Sequence, residues 1–277
     1  MPDLIWSGYI FENTSLESRK EFFSSIGDSE GHEKMNQKTK LSVNVNKIAT
    51  LRNSRGKNLP DVLKTSLDLI RFGAEGITVH PRPDGRHIRS QDVYDLKKHI
   101  SVELNVEGYP SEDFLNMCLE VEPAQCTLVP DPPEALTSQA GFEVSKQSKL
   151  LEMAISRLKQ KNIRTSVFVE NNLTAKDFQL LKKMGCARVE LYTEEYADGF
   201  GTSQQATVMQ KYLKTAELAL ASGLGLNAGH DLNLKNLVFL KQQIPEVLEV
   251  SIGHALICDA LYYGFEATIK KYLQCLA

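Results

Sequence analysis

The sequence lacks long apolar runs and a strong excess of charge of either sign. No stretch approaches the roughly 18 consecutive apolar residues that cross a membrane, and the N-terminus lacks the basic start and apolar middle of a signal peptide. The formal net charge is -3 and the pI is about 6.1, which argues against nucleic acid or an anionic membrane as the main partner. We therefore expect a cytoplasmic protein that acts on small molecules, and local basic patches that bind phosphate groups stay open.

Cysteine is also scarce. The five cysteines are odd in number, widely separated and free of any C-x-x-C pair, which argues against a zinc knuckle and against a disulfide framework. We expect reduced, buried thiols. The histidines show neither H-x-H nor H-E-x-x-H spacing, so no motif supports a metal site, although imidazole and carboxylate groups could in principle bind zinc or iron.

Residues 1–40 differ from the rest of the chain. Ser, Glu, Lys, Asn and Gly predominate from Glu12 onward, and no helix or strand period is sustained. We expect a poorly ordered arm here, with Met35 as a candidate start of translation. The chain is 42% hydrophobic, and the remaining segment, 41–277, is long enough to fill one large core as a single domain.

Strand patterns alternate with helical patterns throughout that segment. Strands are predicted over 41–46, 76–80, 102–107, 125–129, 165–169, 187–191, 225–228 and 248–252. Helices are predicted over 61–71, 90–100, 112–120, 146–160, 175–184, 203–221, 234–242 and 255–276. Eight such units predict a (β/α)8 TIM barrel. An antiparallel sheet with one solvated face is the alternative, but its hairpins would not need helical crossovers.

Several predicted strands alternate polar and apolar residues, although barrel interiors are usually filled with Val, Ile and Leu. We expect the apolar faces to meet the helices and the polar faces to point inward, where they must pair or bind a ligand. The inward set is Ser42, Asn44, Asn46, Thr78, His80, Glu103, Asn105, Glu107, Ser166, Arg188, Glu190 and Ser251. For Arg188 and Glu190, pairing with neighbouring strands in a purely structural role is the favoured interpretation.

Histidine and arginine concentrate after the second predicted strand, in ITVHPRPDGRHI at 77–88. Histidine titrates near neutral pH and the arginine fork fits phosphate, so this segment could combine proton transfer with anion binding. An exposed polar loop is the plain alternative. Glu107, His230 and His254 follow other predicted strands, and in a barrel all of these strand ends meet at one mouth.

Two glycine turns and one basic segment indicate phosphate binding. NAGH at 227–230 and IGH at 252–254 follow the seventh and eighth predicted strands, where barrels often hold phosphate on backbone amides. Ordinary glycine turns would look the same. LRNSRGKNLP at 51–60 contains Arg52 and Arg55 and could close over an anionic ligand as a lid, or form a solvated charge run.

At these residues the sequence resembles the pyridoxine 5'-phosphate synthase family, from position 41 to the C-terminus. The blocks that carry the resemblance are SVNVNKIATLRNSRG at 42, GITVHPRPDGRHI at 76, LNVEG at 104, CTLVPDPPEALTSQAGF at 126, ELYTEEYA at 190, LNAGHDLN at 226 and IGHALI at 252. The resemblance implies a homo-octamer of (β/α)8 barrels that joins 1-deoxy-D-xylulose 5-phosphate to 3-amino-2-oxopropyl phosphate. Such an enzyme releases phosphate and water and needs no metal and no organic cofactor.

Carried over by motif, the resemblance makes His80 and Glu107 proton acceptors and His230 a proton donor. The aminoketone phosphate would contact Asn44, Arg55, Gly253 and His254, and the deoxyxylulose phosphate would contact Arg82, His87 and Thr137. We expect the pKa of Glu107 to be raised toward neutrality by other acids at the mouth. Arg86 is expected to be scaffold.

Two departures from the family pattern concern substrate contacts. Asn46 and Lys47 stand where many members have an Asp-His pair, and Lys47 could still bind phosphate as a point charge. Asp231 stands where many have glycine, and its backbone amide could still meet an anion. Another phosphate-handling barrel lyase or isomerase, or a phospho-metabolite-binding protein without turnover, remains the alternative. Three titratable groups at separate strand ends favour an enzyme.

Overall fold

The computed structural model describes residues 38–130 and 140–277, in which eight parallel strands close into a barrel in sequence order. The strands are β1 (Lys40–Asn44), β2 (Gly76–Val79), β3 (Glu103–Gly108), β4 (Gln125–Leu128), β5 (Arg164–Val169), β6 (Arg188–Tyr192), β7 (Gly225–His230) and β8 (Val247–Ile252). β8 pairs with β1, which closes the sheet. The expected (β/α)8 TIM barrel is confirmed.

Eleven helices lie in the described ranges. They are α1 (Asn46–Asn53), α2 (Val62–Arg71), α3 (Ser90–His99), α4 (Glu112–Val121), α5 (Ser148–Gln160), α6 (Ala175–Met184), α7 (Glu194–Gly199), α8 (Gln205–Ala221), α9 (Leu237–Gln243), α10 (His254–Tyr263) and α11 (Phe265–Leu276). None of these described helices is long and apolar enough to cross a bilayer. Residues 1–37 of the expected arm, 1–40, lie outside the described residues.

Three details of the predicted elements were wrong. Asn46 does not end the first strand, because β1 stops at Asn44 and helix α1 begins at Asn46. The single C-terminal helix is divided at Gly264, whose φ of +72° suits glycine and interrupts the helix. The short helix α7 was not predicted, since six residues carry too little periodicity to be recognised.

The apolar strand faces pack against the surrounding helices, as expected. On β1 the side chains of Leu41 and Val43 are fully buried, and Leu69 of α2 and Ile269 of α11 belong to the same apolar cluster. Burying each leucine or isoleucine completely contributes about 1.5 to 3 kcal/mol relative to leaving it exposed, so this outer layer stabilises the barrel from the helix side. The interior is therefore free to be polar.

Polar side chains in the barrel interior bond from strand to strand. The Ser42 and Thr78 hydroxyls lie 2.7 Å apart, and Asn105 connects Thr78 to Thr127 through bonds of 3.4 and 3.0 Å. This confirms the inward prediction for Ser42, Thr78 and Asn105, whereas Asn46 of the same predicted set lies in helix α1. Each bond offsets the desolvation cost of a buried polar group, which is about 1 to 3 kcal/mol when the group is left unpaired.

A charged cluster fills the N-terminal end of the barrel, here called the barrel floor: Lys40, Glu103, Gln125, Arg164, Arg188, Asn227 and Glu249. Arg164 donates to Glu103 at 2.6 Å, and Arg188 donates to Asn227 at 3.2 Å and to Glu249 at 3.3 Å. The structural interpretation is thus confirmed for Arg188. For Glu190 it stays a prediction, because within the described residues neither carboxyl oxygen lies at hydrogen-bond distance from a partner.

Candidate active site at the barrel mouth

His80 and Glu107 face each other across the C-terminal ends of β2 and β3. His80 Nδ1 lies 3.9 Å from Glu107 Oε2, and both side chains are almost fully buried. Asn44 at the end of β1 donates to the same carboxyl oxygen at 3.3 Å. Three neighbouring strands thus bring an imidazole, a carboxyl and an amide into one group, because parallel strands end at the same rim.

Burial and then the nearby carboxyl of Glu249 raise the pKa of Glu107 to about 8, although the charge of Arg82 acts in the opposite direction. This confirms the expected direction. Burial also holds the pKa of His80 well below its usual value, helped by the charge of Arg82. At neutral pH the imidazole is therefore neutral and able to accept a proton, whereas Glu107 is poised to exchange one.

Arg82 and His87 lie on the loop beyond His80, on the same side of the mouth. The side chain of Arg82 is buried, and the rings of His80 and His87 lie 6.3 Å apart. His87 Nδ1 accepts the Ile88 amide at 2.9 Å, so Nε2 is the nitrogen that carries the proton and can donate. Burial and then the charge of Arg82 lower the pKa of His87 to about 4.

Arg86, by contrast, is scaffold, as expected. Its Nε donates to Asp84 at 2.7 Å, within the turn formed at Gly85. This pairing raises the pKa of Arg86.

Asn46 has a structural function that the sequence did not reveal. Its side-chain oxygen accepts a hydrogen bond from the backbone amide of His80 at 2.9 Å. The backbone amide of Asn46 donates to the Asn44 side-chain oxygen at 3.0 Å. Asn46 therefore holds the end of β2 to the start of α1 and orients His80. Lys47 follows as an exposed residue, and its charge contributes to the lowered pKa of His87.

The proposed lid was partly wrong. Helix α1 includes residues 51–53, and Arg52 is buried with only 2% of its surface exposed. Its guanidinium bonds both carboxyl oxygens of Asp92 on α3 and the His87 carbonyl. Only Arg55 and Lys57 keep exposed positions from which they could meet an anion.

His230 ends β7 on the opposite side of the mouth. Its φ is +86°, and its ring contacts Phe168 at 5.0 Å and Tyr192 at 5.7 Å between centroids. The two aromatic rings also contact each other at 5.1 Å. The imidazole therefore packs against two aromatic rings, which belong to β5 and β6 and were not predicted as neighbours of His230.

The loop after β8 supplies the second glycine turn. Gly253 packs against β1, where an added Cβ would lie 3.1 Å from the Asn44 Cβ and 3.3 Å from its carbonyl oxygen, so a larger residue would displace the strand end. His254 begins the ten-residue helix α10 directly after it. Backbone amides at the start of a helix are suited to bind phosphate, and the start of α10 lies at the rim because β8 ends two residues earlier.

Two of the predicted substrate contacts involve Asp231 and Thr137. The Asp231 amide donates to Thr193 Oγ1 at 3.3 Å, so this bond competes with the expected contact to an anion. Burial, with Glu194 next, raises the pKa of the Asp231 carboxyl. Thr137 lies outside the described residues.

The sequence reasoning missed Glu249 and Thr193. Glu249 shares its strand face with Ser251 at a spacing of two, a signal that was available. Burial raises the pKa of Glu190 well above its usual value, and Glu107 and then Glu249 raise it further, so three carboxyls interact along the barrel axis. Within 38–130 and 140–277, no cluster of three or more His, Cys, Asp or Glu side chains is arranged to hold a metal ion.

Relatives of high identity exist for almost the whole described chain. Pyridoxine 5'-phosphate synthase of Cytophaga hutchinsonii is 54% identical over 236 residues, which cover 85% of this chain and 98% of that protein. The enzyme of the same name from Porphyromonas gingivalis is 52% identical over 239 residues and is covered to 99% of its length.

Solved structures with the same fold are far more distant in sequence. A 3-keto-L-gulonate-6-phosphate decarboxylase from Vibrio cholerae superposes with a TM-score of 0.58 at 11% identity, over 87% of this chain and 99% of that chain. A phosphoribosylanthranilate isomerase from Thermotoga maritima superposes with a TM-score of 0.51 at 12% identity, over 86% of this chain and 98% of that chain. These likenesses show the barrel fold alone.

The family model described as "Pyridoxal phosphate biosynthesis protein PdxJ" matches residues 41–277, the segment that forms the barrel and its mouth. Relatives above 50% identity cover the same segment almost completely. The chain therefore belongs to the PdxJ family of pyridoxal phosphate biosynthesis proteins.

Proposed function

We propose that this protein is a pyridoxine 5'-phosphate synthase, a ring-closing transferase that condenses 1-deoxy-D-xylulose 5-phosphate with 3-amino-2-oxopropyl phosphate. Inorganic phosphate and water are released. The observation that carries the proposal is the buried pair of His80 and Glu107, whose Nδ1 and Oε2 atoms lie 3.9 Å apart. The pair lies at the mouth of a barrel that belongs to the PdxJ family.

The chemistry needs several proton transfers. An amine adds to a ketone, water and phosphate leave, and a carbon loses a proton so that the ring can close. His80 is neutral and accepts a proton, and Glu107 with a pKa of about 8 exchanges one near neutral pH. His230 on the far side donates a proton to a leaving oxygen. No single nucleophile would serve all of these steps.

The two substrates meet the mouth through different groups. Arg82 and His87, with Thr137 from outside the described residues, bind the deoxyxylulose phosphate, and Asn46 and Lys47 border the same region. The aminoketone phosphate binds Asn44, Arg55, Gly253 and His254, with the first amides of α10 facing it. Asp231 lies beside this second group, where the charge of His254 acts on its carboxyl.

The test mixes purified protein with both phosphates and follows pyridoxine 5'-phosphate by absorbance and inorganic phosphate by a coupled assay. Equal amounts of the two products are expected, and dialysis against a metal chelator should leave the rate unchanged. Binding of both phosphates without product would instead identify a binding protein. Product from a single phosphate would identify another lyase or isomerase.

We also propose that the protein is a cytoplasmic homo-octamer. Support for an interface between subunits comes from the last turn of α10, where Leu261 is 76% exposed and Tyr262 is 87% exposed, since large apolar side chains exposed together are typical of protein interfaces. The number of subunits follows only from the family resemblance. Light scattering after gel filtration should give eight times the chain mass, and Tyr262→Glu should lower that mass. A monomer at micromolar concentration would contradict the octamer.

A further inference from the structure

His230 adopts a backbone conformation that is unfavourable for most residues. Its φ of +86° is one of three positive values at non-glycine positions in the described ranges. The other two, Glu122 and Asn162, lie at the ends of helices α4 and α5, where left-handed residues commonly occur. His230 instead ends a strand, so neighbouring contacts must hold it there.

The Thr193 hydroxyl supplies such contacts. It donates to the Gly229 carbonyl at 2.5 Å and accepts the Asp231 amide at 3.3 Å. These two groups belong to the residues on either side of His230, so one hydroxyl spans the strained residue. Thr193 is fully buried, which prevents water from replacing it.

Thr193 makes these bonds instead of capping its own helix. It occupies the N-cap position of α7, where a threonine hydroxyl usually accepts an amide of the first helical turn. Here it makes no such bond. The hydroxyl reaches across to β7, the strand that pairs with β6, which ends one residue before Thr193.

Other contacts fix the same residue from two directions. A Cβ added to Gly229 would lie 2.4 Å from Glu190 Oε1, so the chain before His230 is packed tightly against the barrel interior. Phe168 and Tyr192 contact the imidazole itself. Tyr212 donates to the Tyr192 carbonyl at 2.6 Å and steadies the end of β6.

We propose that Thr193 is a positioning residue that holds His230 in its left-handed conformation and thereby aims the imidazole at the substrate. The inference rests on the proposed function, in which His230 donates a proton to a leaving group. Proton donation requires the donor within hydrogen-bond reach, and a displacement of about 1 Å can reduce a rate by roughly 100-fold. Thr193 itself does not touch the substrate.

Thr193→Val tests the hydroxyl because valine keeps the shape of threonine, and Thr193→Ser is the matched control that keeps the hydroxyl. We expect Thr193→Val to lower kcat by roughly 10- to 100-fold while the KM for each phosphate changes less than about threefold. Thr193→Ser should retain kcat within about threefold. In a His230→Asn background, Thr193→Val should have no further effect, because the group that it positions is already absent.

A second measurement does not depend on turnover. The imidazole C2–H resonance of His230, assigned with His230→Asn, should shift in Thr193→Val and stay in place in Thr193→Ser. In the wild-type protein the Asp231 amide should exchange slowly with solvent, a readout that holds even where Thr193→Val fails to fold.

The outcomes separate the two proposals. A shifted resonance in a protein without synthase activity would overturn the proposed function and retain the positioning of His230. Unchanged kcat and an unchanged resonance in Thr193→Val would overturn the positioning. So would equal losses of kcat in the valine and serine variants, a loss that persists in the His230→Asn background, or fast exchange of the Asp231 amide.

Discussion

The carboxyl group of Glu107 is difficult to ionise because it is buried and lies near other carboxyls. It is 2% exposed and lies near the buried carboxyls of Glu190 and Glu249, so losing its proton places a second negative charge in a region of low dielectric. Arg188 offsets part of the charge of Glu249, but it does so at the barrel floor. Ionising Glu107 therefore costs the folded state free energy at the site of proton transfer.

Glu107→Gln tests the catalytic role. Glutamine keeps the shape and the bond to Asn44 but cannot exchange a proton, so kcat should fall by roughly 100- to 10,000-fold. The dissociation constant of 3-amino-2-oxopropyl phosphate, measured calorimetrically, should change less than about threefold. Glu152→Gln, an exposed change on α5, is the control. Equal losses in turnover and binding would point to a binding role for Glu107.

Relative to the wild type, the same variant should become more stable as the pH rises. The pKa of Glu107 is about 8 in the folded state against a usual value of 4.5, so between these values the folded state holds more protons than the unfolded state. The free energy of unfolding therefore falls with rising pH across this window, by on the order of a few kcal/mol at most. Glutamine removes that fall. Urea denaturation at pH 5 and pH 8 should give the variant a larger free energy of unfolding than the wild type only at pH 8.

At the scale of elements, helices α1 and α3 are joined by one buried ion pair. Arg52 binds Asp92, and Asp92 also accepts the Arg89 amide at 2.8 Å at the start of α3. Arg52 further donates to the His87 carbonyl at 3.0 Å. One guanidinium thus connects the segment after β1, the loop after β2 and the helix that follows it.

Arg52→Met should destabilise the fold, because it leaves the largely buried carboxylate of Asp92 without its counter-ion. Breaking a buried pair from one side typically costs about 3 to 5 kcal/mol. Arg71→Met, which removes an exposed pairing to Asp68, should cost less than about 1 kcal/mol. Urea denaturation measures both. A loss for Arg52→Met as small as that for Arg71→Met would show that the pair contributes little.

At the scale of the whole molecule, all the strand pairings that close the barrel lie between Lys40 and Ile252. The relative from Cytophaga hutchinsonii is matched over 98% of its length by 236 residues of this chain, so residues 1–37 have little counterpart in it. We propose that the segment 38–277 is the complete catalytic unit.

Removal of residues 1–37 should leave kcat unchanged within about twofold, because no barrel strand is lost. The melting temperature should change by less than about 2 °C, the shift that corresponds to less than roughly 1 kcal/mol for a domain of this size. Scanning calorimetry and the synthase assay check both. A large loss of either would give the first 37 residues a part in the fold or the reaction.

The sequence by itself determined the barrel, the inward polar faces and the rim histidines, because strand and helix periods and strand-end positions are local properties of the chain. Arg188 and Glu190 show where this reasoning stops. Both were read as polar strand residues with partners, yet Arg188 pairs with Glu249 whereas Glu190 has no hydrogen-bond partner within the described residues.

Only the tertiary structure decided the depth of burial and the contacts across the barrel. The pKa of Glu107 depends on Glu249 from the eighth strand, and the conformation of His230 depends on a hydroxyl from the end of the sixth. Arg52 looked like a lid residue until closure of the barrel placed it against Asp92. The physical reason is that desolvation and cross-strand distance are set when the sheet closes, and neither is encoded in the spacing of residues along the chain.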